Sequence, residues 1–134
     1  MELTYVPYEE LKRIRDLKCG DFERTQLFAT LTRINTLYMI MQAGSGHIGS
    51  SFSAMDIVSW LYLNEMNIAE QPDADGDIYF SSKGHDAPGL YSVLLGLGRL
   101  DFSLIHQLRR LNGLPGHPDV ETPGIRANTG SLGM

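Results

Sequence analysis

The chain has 134 residues, 43% hydrophobic and 20% charged, the make-up of a single globular domain able to bury about two-thirds of its unfolded surface. Its formal net charge of −5, without a basic run, argues against a nucleic-acid surface or an anionic membrane as partner, although a few oriented backbone N–H groups can still hold a small anion. One cysteine, Cys19, excludes an internal disulfide and a thiolate cluster; with no apolar run of membrane length and no signal-like start in "MELTYVPYEE", the expected compartment is the cytosol.

In chain order, residues 8–19 read as a helix, with Leu11, Ile14 and Leu17 at every third position, Glu9 and Glu10 in the first turn and Gly20 as a stop. Residues 24–42 carry the strongest helical pattern: Leu27, Phe28, Leu31, Ile34, Leu37, Tyr38 and Met41 line one face, and Gly44 ends it. Ser53 and Asp56 have capping-box spacing before Ile57–Leu63, which predicts a helix over about 54–65. An acidic loop, "NIAEQPDADG", leads into "DIYFSS", residues 77–82, a short strand of β-favouring side chains. Asp86 is placed to cap the next helix, with Pro88 in its first turn, Leu90, Tyr91, Leu94 and Leu97 facing inward and Gly98 closing it. Asp101 caps a last helix, 102–111, with His106 off its apolar stripe and therefore at the surface. From Gly113 onward a glycine- and proline-rich segment forms a loop long enough to imply function. A single strand cannot stand alone, so the chain reads as the opening of a larger α/β sheet, mostly helical here with one short strand.

Three of the four histidines follow a glycine: Gly46-His47, Gly84-His85 and Gly116-His117. "GSGHIG" also matches the dinucleotide-binding fingerprint literally, but that fingerprint needs a strand before it, and a long helix stands there instead. "DADGD" resembles the start of a calcium loop, yet the positions that require Gly and Glu hold Ile78 and Gly84; it reads as a solvated acidic loop. The histidine spacings match no compact zinc motif, although three remote histidines can converge. Glycine lets backbone approach a ligand closely, and histidine donates, accepts or carries charge near neutral pH. The residues themselves therefore point to a pocket for an anion or a polyol.

The stretches "SGHIGSSFSAMDIV", "DIYFSSKGHDAPGLYSVL", "PGHPDVETPGI" and "NTGSLG" follow the order and spacing of the N-terminal region of transketolases, and the resemblance covers residues 24–134. Each motif is weak alone; four in order are specific. The deoxyxylulose-phosphate synthases share a "GH" near the first motif but lack the "SKGHDAP" and "PGHPDVETPG" pairing, and stand as the alternative. The resemblance implies residues 1–134 as an incomplete opening of the diphosphate-binding domain. It implies a thiamine diphosphate enzyme that moves a two-carbon ketol unit between sugar phosphates. By the same resemblance His47 contacts substrate and aids proton movement, His85 meets the cofactor diphosphate near substrate, and His117 bonds the donor's terminal hydroxyl. Gly130, Ser131 and Leu132 would line the cofactor. Ile48 stands where proline is common in the family, and Arg126 where an acid or a neutral residue is.

The family's Gly-Asp-Gly…Asn motif for Mg²⁺, and the glutamate that activates the cofactor, do not occur in this sequence. Mg²⁺ ligands are thus expected outside the chain, which alone is expected to be inactive. Two readings follow: a piece or subunit of a transketolase, completed by the missing remainder of the enzyme or by a complementary subunit into a homodimer or heterotetramer, or a non-catalytic, partner-binding remnant of the fold. Intact His47, His85 and His117 favour the first. Apolar helix faces without a sheet to cover them predict aggregation, loose packing or a co-purifying partner.

Overall fold

A computed structural model describes residues 3–69 and 75–130. Four α-helices form the body: α1 (Tyr8–Arg15), α2 (Asp21–Ala43), α3 (Ile48–Trp60) and α4 (Ala87–Gly96). The long α2 packs against both α3 and α4, α3 packs against α4, and α1 lies across α2 and α4. Leu11, Phe28, Met39, Met55, Tyr91, Leu94 and Leu95 are large, fully buried side chains on these helices, and Ile105 packs into the same core.

Pro7 precedes α1, Glu9 and Glu10 occupy its first turn, and Lys12, Arg13 and Arg15 its last, each sign suited to its end of the helix dipole. The helix stops at Arg15 rather than 19, because Leu17 N–H turns back to Ile14 O and Cys19 N–H to Leu17 O. Gly20 is extended and opens α2 instead of stopping α1. Gly44 ends α2 as expected: at φ 70° it takes the left-handed form and donates to Met41 O.

The buried face of α2 only partly follows the apolar stripe. Phe28 and Tyr38 of that stripe are buried and Leu31 is half-buried, but Leu27, Ile34, Leu37 and Met41 are exposed, whereas Thr25, Thr32, Asn35 and Thr36 are buried beside Ala29, Met39 and Ile40. Hydrogen bonds make this burial tolerable. Thr32 Oγ1 donates to Phe28 O (2.9 Å), Thr36 Oγ1 to Thr32 O (2.8 Å), and Ser92 Oγ of α4 to Thr32 O (2.7 Å). Asn35 accepts from Val6 N–H at 2.7 Å and donates to Val6 O at 3.0 Å, which holds the N-terminal arm.

Helix α3 begins at Ile48, well before the expected start at 54, with His47 at its N-cap position. Ser53 and Asp56 therefore lie inside the helix and do not cap it: Ser53 Oγ donates to Ser50 O, and Asp56 pairs with Arg33 of α2. The turn Leu61–Glu65 continues α3 as a π turn, closed by Met66 N–H to Leu61 O at 2.8 Å. The strand expected over residues 77–82 does not form: the segment has no regular structure and no ladder partner among the described residues, and Asp77 N–H is tied to Asn67 O. Ile78 and Phe80 are about half exposed, while Tyr79 between them packs against Tyr62 and the core.

A 3₁₀ turn, Gly84–Asp86, leads into α4, every residue of which is buried. Asp86 makes no side-chain cap bond; its carboxylate accepts from Ser81 Oγ at 3.0 Å. After Gly98, at φ 72°, Asp101 caps as expected by accepting from Ser103 N–H, but it opens only a 3₁₀ segment, Phe102–His106, and no helix to 111. Beyond it the chain doubles back. Leu114 N–H donates to Gln107 O and Arg109 N–H to Leu114 O, around a bridge between Leu108 and Leu114.

Candidate functional site

Helices α3 and α4 meet closely at their N-terminal ends. A Cβ on Gly89 would stand 3.2 Å from Ser51 Cβ, and Ser51 Oγ donates to Asp86 O at 3.4 Å. The residue before α3 is His47 and the turn before α4 carries His85, so the close approach sets the two rings side by side, centroids 4.5 Å apart at 50°. The loop that delivers His47 is seated by Gly46, at φ 150°, where a Cβ would strike Ile40 at 2.8 Å. Two imidazoles beside two helix N-termini form a donor-rich corner suited to negative charge.

Gly84 joins this corner to the chain's last described segment. Its N–H donates to Gly130 O at 3.1 Å, and a Cβ there would lie 2.1 Å from that oxygen. Only glycine fits, which is the physical reason for the glycine before His85. The loop 118–129 closes on itself to bring Gly130 there: Asn128 Oδ1 accepts from Val120 N–H, Asp119 Oδ1 from Glu121 N–H, and Thr129 N–H donates to Pro118 O. Beside Gly84, Thr129 Oγ1 is buried without a hydrogen-bond partner. An unsatisfied buried hydroxyl is costly, so this one suits a polar ligand group.

His117 belongs to the same assembly through its backbone. Tyr91 of α4 donates its hydroxyl to His117 O at 3.1 Å. Burial first, and the Asp119 charge second, raise the Tyr91 pKa well above the usual phenol range, so it remains a donor. Asp86, buried next to His85, has its carboxyl pKa raised by desolvation, against the lowering effects of Ser81, Lys83 and His85. Of the residues that the sequence marks, His47 and His85 stand together, Gly130 touches the turn that bears His85, and His117 is anchored by its carbonyl. Ser131 and Leu132 lie outside the described residues. Sequence reasoning does not mark Tyr91, Asp86 and Thr129 as site residues, though Asp86 and Thr129 sit in or beside a Gly-His or Thr-Gly motif.

His106 is elsewhere. Its Nδ1 is 2.8 Å from Tyr38 Oη, and its ring meets Tyr5 and Tyr38 edge-on. It is exposed, as expected, but it is bonded. A roomy cleft, about 650 Å³ between Leu97–Arg99 and Val120–Arg126, contains no histidine, so size does not mark the chemistry here. Among the described residues, no three His, Cys, Asp or Glu side chains group to hold a metal.

The family model for the transketolase thiamine diphosphate binding domain matches residues 24–134. The chain belongs to the transketolase family. It is 32% identical over 114 residues to an apulose-4-phosphate transketolase subunit of Phocaeicola vulgatus, covering 83% of this chain and 41% of that protein. It is 38% identical over 112 residues to a 6-deoxy-6-sulfo-D-fructose transketolase subunit of a Clostridium species, covering 79% and 40%. Human transketolase is 35% identical over 109 residues, 79% of this chain and 18% of that protein. The chain thus spans about two-fifths of these two subunit-type transketolases and under a fifth of the human protein. The family resemblance in the four motifs is borne out, and with it a mostly helical opening of the thiamine diphosphate-binding fold. The orphan Thr129 hydroxyl, the Gly84–Gly130 contact and the adjacent His85 fit the polar diphosphate end of that cofactor.

Proposed function

We propose that this chain contributes the histidine face of a thiamine diphosphate site and, with a complementary polypeptide, transfers a two-carbon ketol unit between sugar phosphates. The observation that carries the reading is the His47–His85 pair at the joined N-termini of α3 and α4. Thiamine diphosphate, when bound, supplies a carbanion that attacks a carbonyl and an electron sink for the resulting charge. In this proposal His85, the Thr129 hydroxyl and the backbone from Gly130 through Ser131 and Leu132 hold the diphosphate end. His47 passes protons at the substrate hydroxyls, a task that suits an imidazole near neutral pH. His117, steadied by Tyr91, hydrogen-bonds the terminal hydroxyl of the donor sugar. Mg²⁺ ligands come from outside the described residues. That two of the relatives are named as subunits supports a partner chain.

The test uses the purified chain together with whatever polypeptide co-purifies. Its histidine ring resonances are followed while thiamine diphosphate with Mg²⁺, or thiamine without the diphosphate, is added. The signals of His85 and His47 are expected to move with the first and not with the second, weakly for the isolated chain and strongly with its complement. Unmoved signals in the complemented protein would overturn the proposal in favour of a non-catalytic remnant.

A further inference from the structure

The loop bearing His47 and the loop bearing His117 come from distant parts of the chain, and one side chain joins them. Arg109 Nη1 donates to Ser45 Oγ at 3.0 Å, two positions before His47. The same guanidinium lies against Gly116, immediately before His117: a Cβ there would sit 3.2 Å from Nε and 3.5 Å from Cζ. Arg109 is not relaxed in this place. Its φ is 56°, in the left-handed region that non-glycine residues avoid, inside the doubled-back segment 107–114. That segment is clamped by Arg109 N–H to Leu114 O at 2.8 Å and by Gly113, where a Cβ would meet Gln107 O at 2.1 Å. The neighbouring Arg110 reaches Gln42 O at the end of α2, so both arginines of this turn lean toward the loop after α2. An arginine kept in a strained backbone state, with its planar head between two glycine-borne histidine loops, has the marks of a side chain retained for where it points.

We propose that Arg109 is a positioning residue that couples the Ser45–His47 loop to the Gly116–His117 loop, so that the two imidazoles keep a fixed separation. The coupling stands on geometry alone. Its consequence for a sugar substrate, whose two ends the histidines would grip, rests on the function proposed above.

Hydrogen-exchange mass spectrometry on the full chain, with any co-purifying partner, tests the coupling through peptides covering 43–50 and 113–118. Arg109→Gly removes the guanidinium and relieves the left-handed strain. It is expected to leave the melting temperature unchanged or higher while exchange in both loops rises several-fold. Ser45→Ala is expected to loosen the His117 loop as well as its own, and to add nothing in the Arg109→Gly background. Arg109→Lys, lacking the planar fork, is expected to restore little of the coupling. Exchange that rises only within 107–114, or Ser45→Ala and Arg109→Gly effects that simply add, would overturn the proposal. Thiamine diphosphate that fails to shift the histidine signals while the cycle shows coupling would instead count against the proposed function and leave the clamp in place.

Discussion

His85 and His106 are both histidines at 3₁₀ turns, and they differ in what surrounds them. His85 follows a glycine whose N–H is held by Gly130 O, beside a second imidazole, a second helix start and an orphan hydroxyl. His106 follows Ile105, which is fully buried, and its ring is bonded to Tyr38 and flanked by Tyr5. One ring stands where separate chain segments converge; the other is exposed beside Tyr38 and Tyr5. The glycine makes the difference, since it allows the turn that bears His85 to approach the backbone of Gly130.

That contrast is broken most directly by removing the rings. In the complemented enzyme His47→Ala, His85→Ala and His117→Ala are each expected to lower turnover about a hundredfold or more, on the order of 3 kcal/mol at the transition state. His106→Ala should leave turnover unchanged in the same steady-state assay, and a loss equal to the others would erase the distinction. His106→Ala is instead expected to lower folding stability by about 1 kcal/mol through loss of the Tyr38 bond, read as a shift in urea midpoint. Tyr91→Phe should lower stability by a similar or slightly smaller amount, about 0.5–1 kcal/mol, and should disturb His117 but not His106 in ring spectra.

A pH-dependent effect is expected at Asp86. Burial raises the carboxyl pKa in the folded chain above its unfolded value. The stability this group contributes is complete below the unfolded pKa and is lost as pH rises through the folded one. At neutral pH the buried charge is therefore a net cost. Asp86→Asn keeps an acceptor for Ser81 and should raise the melting temperature at neutral pH, with the gap closing as pH falls through the carboxylate range. A gap that widens on acidification would contradict the assignment.

Much of this is legible in the residues. The glycines before the histidines announce close backbone approach, and the stop at Gly44, the cap at Asp101 and the burial of α4 follow from local rules. The orientation of α2 is only partly legible. Phe28 and Tyr38 of its apolar stripe are buried, but Leu27, Ile34, Leu37 and Met41 face outward, while Thr32, Thr36 and Asn35 are buried. Periodicity counts apolar side chains, but burial goes to the face where small hydroxyls and one amide satisfy themselves against Phe28 O, Thr32 O and Val6. Leu37→Ala is accordingly expected to change stability by less than about 0.5 kcal/mol, against about 2–5 kcal/mol for Leu94→Ala, both read from denaturant midpoints. The start of α3 misleads for a related reason: Ser53 and Asp56 have cap spacing, but Asp56 is taken by Arg33 across the helix pair. Nor does any pattern announce Arg109, because a left-handed arginine has no signature in sequence.

The contact between Gly84 and Gly130 also bears on the order in which the molecule assembles. Helices α2 and α3 are neighbours in sequence and can pair early, whereas this contact closes a long loop and loses correspondingly more chain entropy before it gains anything. The corner around Gly84 is then expected to form after the α2–α3 pair and to open before it on warming. A protease offered the warmed chain should cut within 118–129 while the helix pair α2–α3 is still whole.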